Sequence, residues 1–164
     1  MPEAPRAQLA ELKIPAQGDF IGLARRVATS LGGRLGFDLE KIDELAIAVT
    51  QACGGAIETA EETWGPGASL HLSFAAIEGG IEVEVDSLAP SSPEALKGVP
   101  PVSPVSPALT PDARRGAVRA RKAEMELQRA VAAEMIRLFV DDFRHQVDTG
   151  RRQVRYRMVK YLIR

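Results

Sequence analysis

The chain has 164 residues, 45% hydrophobic and 26% charged, with a formal net charge of −1. That size suits a single domain, 1–164, with a sizeable core, and no apolar run is long enough to cross a membrane. Met1-Pro2-Glu3-Ala4-Pro5-Arg6 lacks the basic-then-apolar pattern of a secretory leader, one cysteine excludes an internal disulfide framework, and two scattered histidines give no metal-ligand spacing. These features predict a cytoplasmic protein without a metal.

In chain order, residues 1–8 read as a flexible tail. Leu9 to Ile14 predicts a strand, with Leu12 and Ile14 facing in and Pro15 as its stop. Asp19 is the expected N-cap of a helix carrying Ile21, Leu23, Ala24, Val27, Ala28 and Leu31, ended by Gly32, Gly33 and Gly36. Asp38 caps a second, longer helix reaching about Glu62. Its apolar stripe is Ile42, Leu45, Ala46, Val49, Cys53, Ala56, Ile57 and Ala60. On that stripe Cys53 reads as a small core residue.

Gly65-Pro66-Gly67 breaks the helix. Leu70, Leu72 and Phe74, then Ile81, Val83 and Val85, alternate with polar residues, so two half-buried strands joined at Glu78-Gly79-Gly80 are expected. Seven of the 11 prolines fall between Pro90 and Pro111. Proline lacks an N–H and fixes φ, so 88–111 is expected as a long loop. A helix from about Asp112 to Asp142 follows. Val154, Tyr156 and Met158 close the chain as a strand, with a bulge near Val159 and a phase change after Lys160. The fold class predicted is α/β (α+β): a two-layer sandwich whose mixed, mostly antiparallel sheet is covered by helices on one face.

Charge is distributed unevenly. Residues 1–100 carry 15 acidic and 7 basic side chains, and residues 101–164 carry 7 and 14. Two basic groups stand out: Arg114, Arg115, Arg119, Arg121 and Lys122, and then Arg151, Arg152, Arg155, Arg157, Lys160 and Arg164. Without interleaved exposed aromatics they read as solvated faces, and nucleic acid is not expected as a partner.

The long helix from Ile42 to Ala60 resembles the signature helix of the anti-sigma-factor serine protein kinase family, of the GHKL (histidine-kinase-like ATPase) fold. There the helix reads roughly Leu-Ala-Val-x-Glu-Ala-x-x-Asn-Ala-x-x-His-Ala. The resemblance implies a helix carboxylate that orients or deprotonates the attacking hydroxyl, and an Asn that holds Mg²⁺ between phosphates. Gln51, Gly55 and Thr59 stand at the Glu, Asn and His places. A Gln side chain cannot take up a proton as a carboxylate does, and Gly55 has no ligand atom. The family's adenine box, Asp-x-Gly-x-Gly, matches Asp86, but Leu88 and Pro90 replace the glycines. Its phosphate-loop glycines match Ala130 and Ala132, in a stretch that already reads as helix. The pair Gly54-Gly55 weakens a helix by about 1 kcal/mol per glycine. Something is therefore expected to approach closely there: a backbone, a ligand, or a loop filling the pocket.

The expectation is a degenerate family member. Its nucleotide-pocket positions are Gln51, Gly55, Asp86, Ala130 and Ala132, and it has no catalytic residue, no metal and no cofactor. The resemblance implies a sigma factor or an anti-anti-sigma (STAS-type) protein as partner, and a homodimer. It also implies that 88–111 replaces or extends the ATP lid; residues 88–122 are expected either to act as a mobile arm that contacts the partner or to be a passive solvent loop. The alternative is an active serine/threonine protein kinase that uses ATP and Mg²⁺.

Overall fold

The structure, a computed structural model, describes residues 5–90, 111–148 and 153–163. Five strands form one sheet in the order β1-β2-β3-β5-β4, and every neighbouring pair is antiparallel. The strands are β1 (Ala7–Pro15), β2 (Ser69–Ile77), β3 (Gly80–Leu88), β4 (Asp142–Asp148) and β5 (Gln153–Tyr161). The described residues also form three α-helices, α1 (Ile21–Arg34), α2 (Leu39–Trp64) and α3 (Pro111–Phe139). The α+β sandwich is as expected, while the sheet is wholly antiparallel rather than mixed.

The core lies between the helices and one face of the sheet. Leu45, Val49, Cys53 and Ala56 of α2 meet Leu70, Leu72, Phe74, Val83, Val85 and Met158 there. The period of two in β2 and β3 puts these residues on one face. The opposite face carries paired charges. Asp86 accepts from Arg155 at 2.7 Å, and Glu82, nearly fully buried, accepts from Arg157 at 2.7 Å and pairs with Arg6 at 2.7 Å.

Several local expectations are corrected. β1 begins at Ala7, inside the expected tail, because Gln8 donates to Ser73 Oγ at 2.9 Å and Arg6 is held by Glu82 and Glu84. Asp19 is not an N-cap: a 3-10 turn, Gly18–Phe20, leads into α1 without a side-chain cap. α1 runs through Gly32 and Gly33, so of the three glycines expected to end it only Gly36 does so. The stop is Gly36, at φ +87°, where Phe37 N–H bonds the Gly32 carbonyl and Gly36 N–H bonds that of Gly33. This paired closure needs a left-handed residue, which glycine adopts without a Cβ penalty.

Asp38 caps α2 as expected, accepting Lys41 N–H at 2.8 Å. β2 and β3 turn through Glu78 and Gly79, with Ile77 paired to Gly80. The segment 91–110, most of the expected proline loop, lies outside the described residues. α3 ends at Phe139, earlier than expected, and the chain then forms β4, a strand that no expectation from the sequence covered. β5 has an unbroken register with β3, so no bulge occurs at Val159. Instead Lys160 stays in phase with Met158 and turns into the core, where its ammonium donates to Glu44 at 2.5 Å and to the Phe139 carbonyl at 2.7 Å.

Candidate functional site

α2 and α3 lie side by side in the helical layer and leave an open groove between them. Its volume is about 400 Å³. Gln51, Gly54, Gly55 and Glu58 line it from α2, since spacings of three and four residues share one helix flank. Leu127, Gln128, Val131 and Ala132 line it from α3. A second hollow, about 600 Å³, opens on the other side of Gln51 between α1 and α2.

Tyr156 packs against Gly55 at the side of this groove. A Cβ at Gly55 would stand 2.5 Å from the Tyr156 hydroxyl and 3.2 Å from Cζ, so this glycine is required by the ring. The phenol occupies the space that a larger side chain at position 55 would need. Behind it, His145 stacks on Tyr156 at 4.7 Å between ring centroids and 23° between planes, and Phe143 stacks at 6.1 Å. Gly54 differs: a Cβ there would meet nothing within 4 Å.

Charge in the groove is muted. Burial pushes the Tyr156 hydroxyl above its usual range, which Arg129 partly opposes, and burial also raises the Glu58 carboxyl against the pull of Arg129. Burial, aided by Arg129 and Arg137, holds His145 below its usual value. All three shifts favour the uncharged form. Arg129 pairs with Glu62 and lies 4.0 Å from Glu58, and its Nε has no hydrogen-bond partner among the described residues. Among the described residues no three His, Cys, Asp or Glu are grouped so as to hold a metal ion.

The structure brings Gln51, Gly55 and Ala132 to one groove. Ala130 sits on an exposed flank of α3 and does not line it. Asp86 lies on the opposite face of the sheet, bound to Arg155. The β3 side chain on the helix side at that strand end is Ser87, fully buried, whose hydroxyl accepts Val154 N–H at 3.1 Å. Thr59 is spent locally, donating to the Gly55 carbonyl at 3.0 Å. Ala130 and Ala132 are deep inside the 29 residues of α3, where backbone N–H groups are already used by the helix. Sequence reasoning missed Glu58, Leu127, Val131 and Tyr156. Glu58 was within reach, being seven residues from Gln51 on the same flank. Tyr156 was not, because it arrives from a distant strand.

Comparison with known proteins gives related results. The serine-protein kinase RsbW of Bacillus subtilis (strain 168) is 32% identical over 79 residues, which is 48% of this chain and 49% of the relative. RsbW of Bacillus velezensis is 32% identical over 75 residues, 46% of each chain, and RsbW of Bacillus pumilus is 38% identical over 52 residues, 32% of each. The chain is RsbW-like over that stretch. It spans about half the length of the curated relatives it matches. No protein-family model matches it. The five-stranded antiparallel sheet with helices on one face agrees with the GHKL-like ATPase fold expected of an RsbW-like chain.

Proposed function

We propose that this chain is an anti-sigma-factor-like regulator that acts by binding proteins, and that its nucleotide pocket is degenerate. The observation carrying this reading is the continuous helix α3 over the stretch matched to the phosphate loop, together with the Tyr156 hydroxyl under Gly55. A phosphate site needs free backbone N–H groups at a helix start, and the interior of α3 offers none. Mg²⁺ needs a charged or carbonyl oxygen, and position 55 supplies no side chain at all. Gln51 lines the groove and its amide can hydrogen-bond a water or hydroxyl, but it cannot accept the proton. The residues present therefore do not fit ATP–Mg²⁺, and no catalytic step is derived through it.

In this reading the partners are a sigma factor or an anti-anti-sigma protein of the STAS type, met in the cytoplasm, with the chain paired as a homodimer. The RsbW relatives and the uneven charge support it. No helix among the described residues is long and apolar enough to cross a membrane. Titration calorimetry with ATP and Mg²⁺ is expected to give a dissociation constant weaker than about 10 μM, or about −7 kcal/mol. Tighter binding would overturn the degenerate pocket.

A second reading, an active serine/threonine protein kinase using ATP and Mg²⁺, is favoured by the names of the relatives. The two separate on transfer of phosphate to a serine of an anti-anti-sigma protein, followed by mass spectrometry. The first reading expects none, and expects Gln51→Glu to restore none, because the metal and phosphate ligands are still missing. Transfer by the wild-type protein decides for the kinase.

A further inference from the structure

Gly55 is explained by Tyr156, but Gly54 has no such reason. It sits in the middle of a 26-residue helix, weakens that helix, and a Cβ there would meet open space. Its one structural consequence is a lowered wall beside the α2–α3 groove. Across from it stand apolar side chains that the fold does not use: Leu127 is 65% exposed and Val131 51%. Further along the same seam Leu138, 77% exposed, lies beside Glu40 and Glu44 of α2. Leu127, Val131 and Leu138 span about 16 Å of helix at 1.5 Å per residue, or about three turns. A row of that length and spacing matches the apolar face of one docked helix, which presents anchors at i, i+3 or i+4, and i+7.

The charge of the walls selects among such helices. α2 carries six carboxylates and one lysine; Glu44 is paired with Lys160 and Glu62 with Arg129, which leaves four carboxylates on the helix. Arg129 and Arg137, the arginines of α3 nearest the groove, are held by Glu62 and Glu134. An amphipathic helix with basic residues beside its apolar face is therefore complementary, while an acidic helix or a nucleic-acid backbone is repelled.

We infer that the α2–α3 groove, in place of a nucleotide, receives an apolar side chain from a basic amphipathic helix of the protein partner, seated over Gly54 between Leu127 and Val131. This rests on the partner-binding reading above and names the surface that reading uses.

The test variant is Gly54→Leu, which fills the groove from α2. Because a Cβ at this position meets no neighbour, the variant is expected to fold and to melt at the same or a higher temperature than wild type. A second variant, Leu127→Ala with Val131→Ala, removes the opposite wall from exposed positions. The probe is a synthetic helical peptide with leucines at helical spacing and lysines elsewhere. It is titrated against the full chain while backbone amide shifts are followed by NMR.

The expected result is saturable binding with the largest shifts at Gly54, Leu127 and Val131, weakened at least about tenfold in both variants. The same peptide with glutamates for lysines should bind far less. Equal binding to wild type and Gly54→Leu, shifts centred on the open sheet face, equal binding of the glutamate peptide, or no saturable binding each overturn the inference. Sigma factors and anti-anti-sigma proteins from the same genome separate it from the reading beneath it. A complex that forms with Gly54→Leu as well as with wild type defeats the groove alone. Absence of any complex with wild type defeats the partner-binding reading.

Discussion

At position 55 a single hydrogen in place of a side chain admits the Tyr156 ring. Gly55→Ala would push a methyl to 2.5 Å from the phenol oxygen. Overpacking of this kind costs about 1–3 kcal/mol. Tyr156→Phe removes the oxygen and leaves the nearest ring carbon at 3.2 Å, a tight but tolerable contact. Urea unfolding of the two single variants and the double variant should show Tyr156→Phe recovering much of the loss. Additive losses would mean that the ring does not press on Gly55. Cys53 tests the same core by pH. Burial raises its thiol from 9.0 to about 12, so the folded state holds its proton more tightly than the unfolded one. Its contribution is complete below pH 9 and falls away as the pH rises from about 9 towards 12. The loss of stability between about pH 9 and 12 should therefore be smaller in Cys53→Ala than in wild type, and a thiol reagent should label native Cys53 far more slowly than the unfolded chain.

Among the elements, α2 and β5 are joined by a pair that sequence pattern alone mislocates. Lys160 sits on the helix side of β5, 6% exposed, with Glu44 at 31%. Glu44→Ala leaves the buried ammonium with the Phe139 carbonyl as its partner among the described residues. Losing one member of a fully buried pair costs about 3–5 kcal/mol, and the partial exposure of Glu44 lowers the expectation to about 2 kcal/mol. A change in the unfolding free energy from urea titration below about 0.5 kcal/mol would show that the pair contributes little. β4 shows a different limit of pattern reading. Phe143, His145 and Val147 do alternate with Arg144 and Gln146, but an exposed edge strand buries little of either face. Its apolar signal is therefore faint, and no expectation from the sequence covered it. α2 was easy by comparison: a polar cap at Asp38, a long apolar stripe and a Gly-Pro-Gly stop all agree.

The molecule as a whole is a sheet with one face in the core and the other closed by its own ion pairs. Opening should follow that arrangement. β3, central in the sheet, has Ile81, Val83 and Val85 fully buried, while β4 is an exposed edge. Amide exchange should be slowest in β3 and fast in β4 and the first half of α3, where every described side chain is exposed. Exchange in β4 as slow as in β3 would contradict this. The sequence by itself determined the helices, the β2–β3 hairpin, the α+β class and the altered state of the α2 motif, because each rests on residues close together in the chain. Helical and strand periods, caps and glycine breaks are local signals, and so is the absence of a carboxylate at Gln51. Tertiary structure alone decided what those positions face. Asp86 and Ser87 are adjacent in sequence but lie on opposite faces of the sheet, and pairing with β5 decides which meets Arg155 and which meets the core. It also brought Tyr156, 101 positions along the chain from Gly55, into the space that glycine leaves open. No local period records such a contact, since it exists only once strand and helix are packed together.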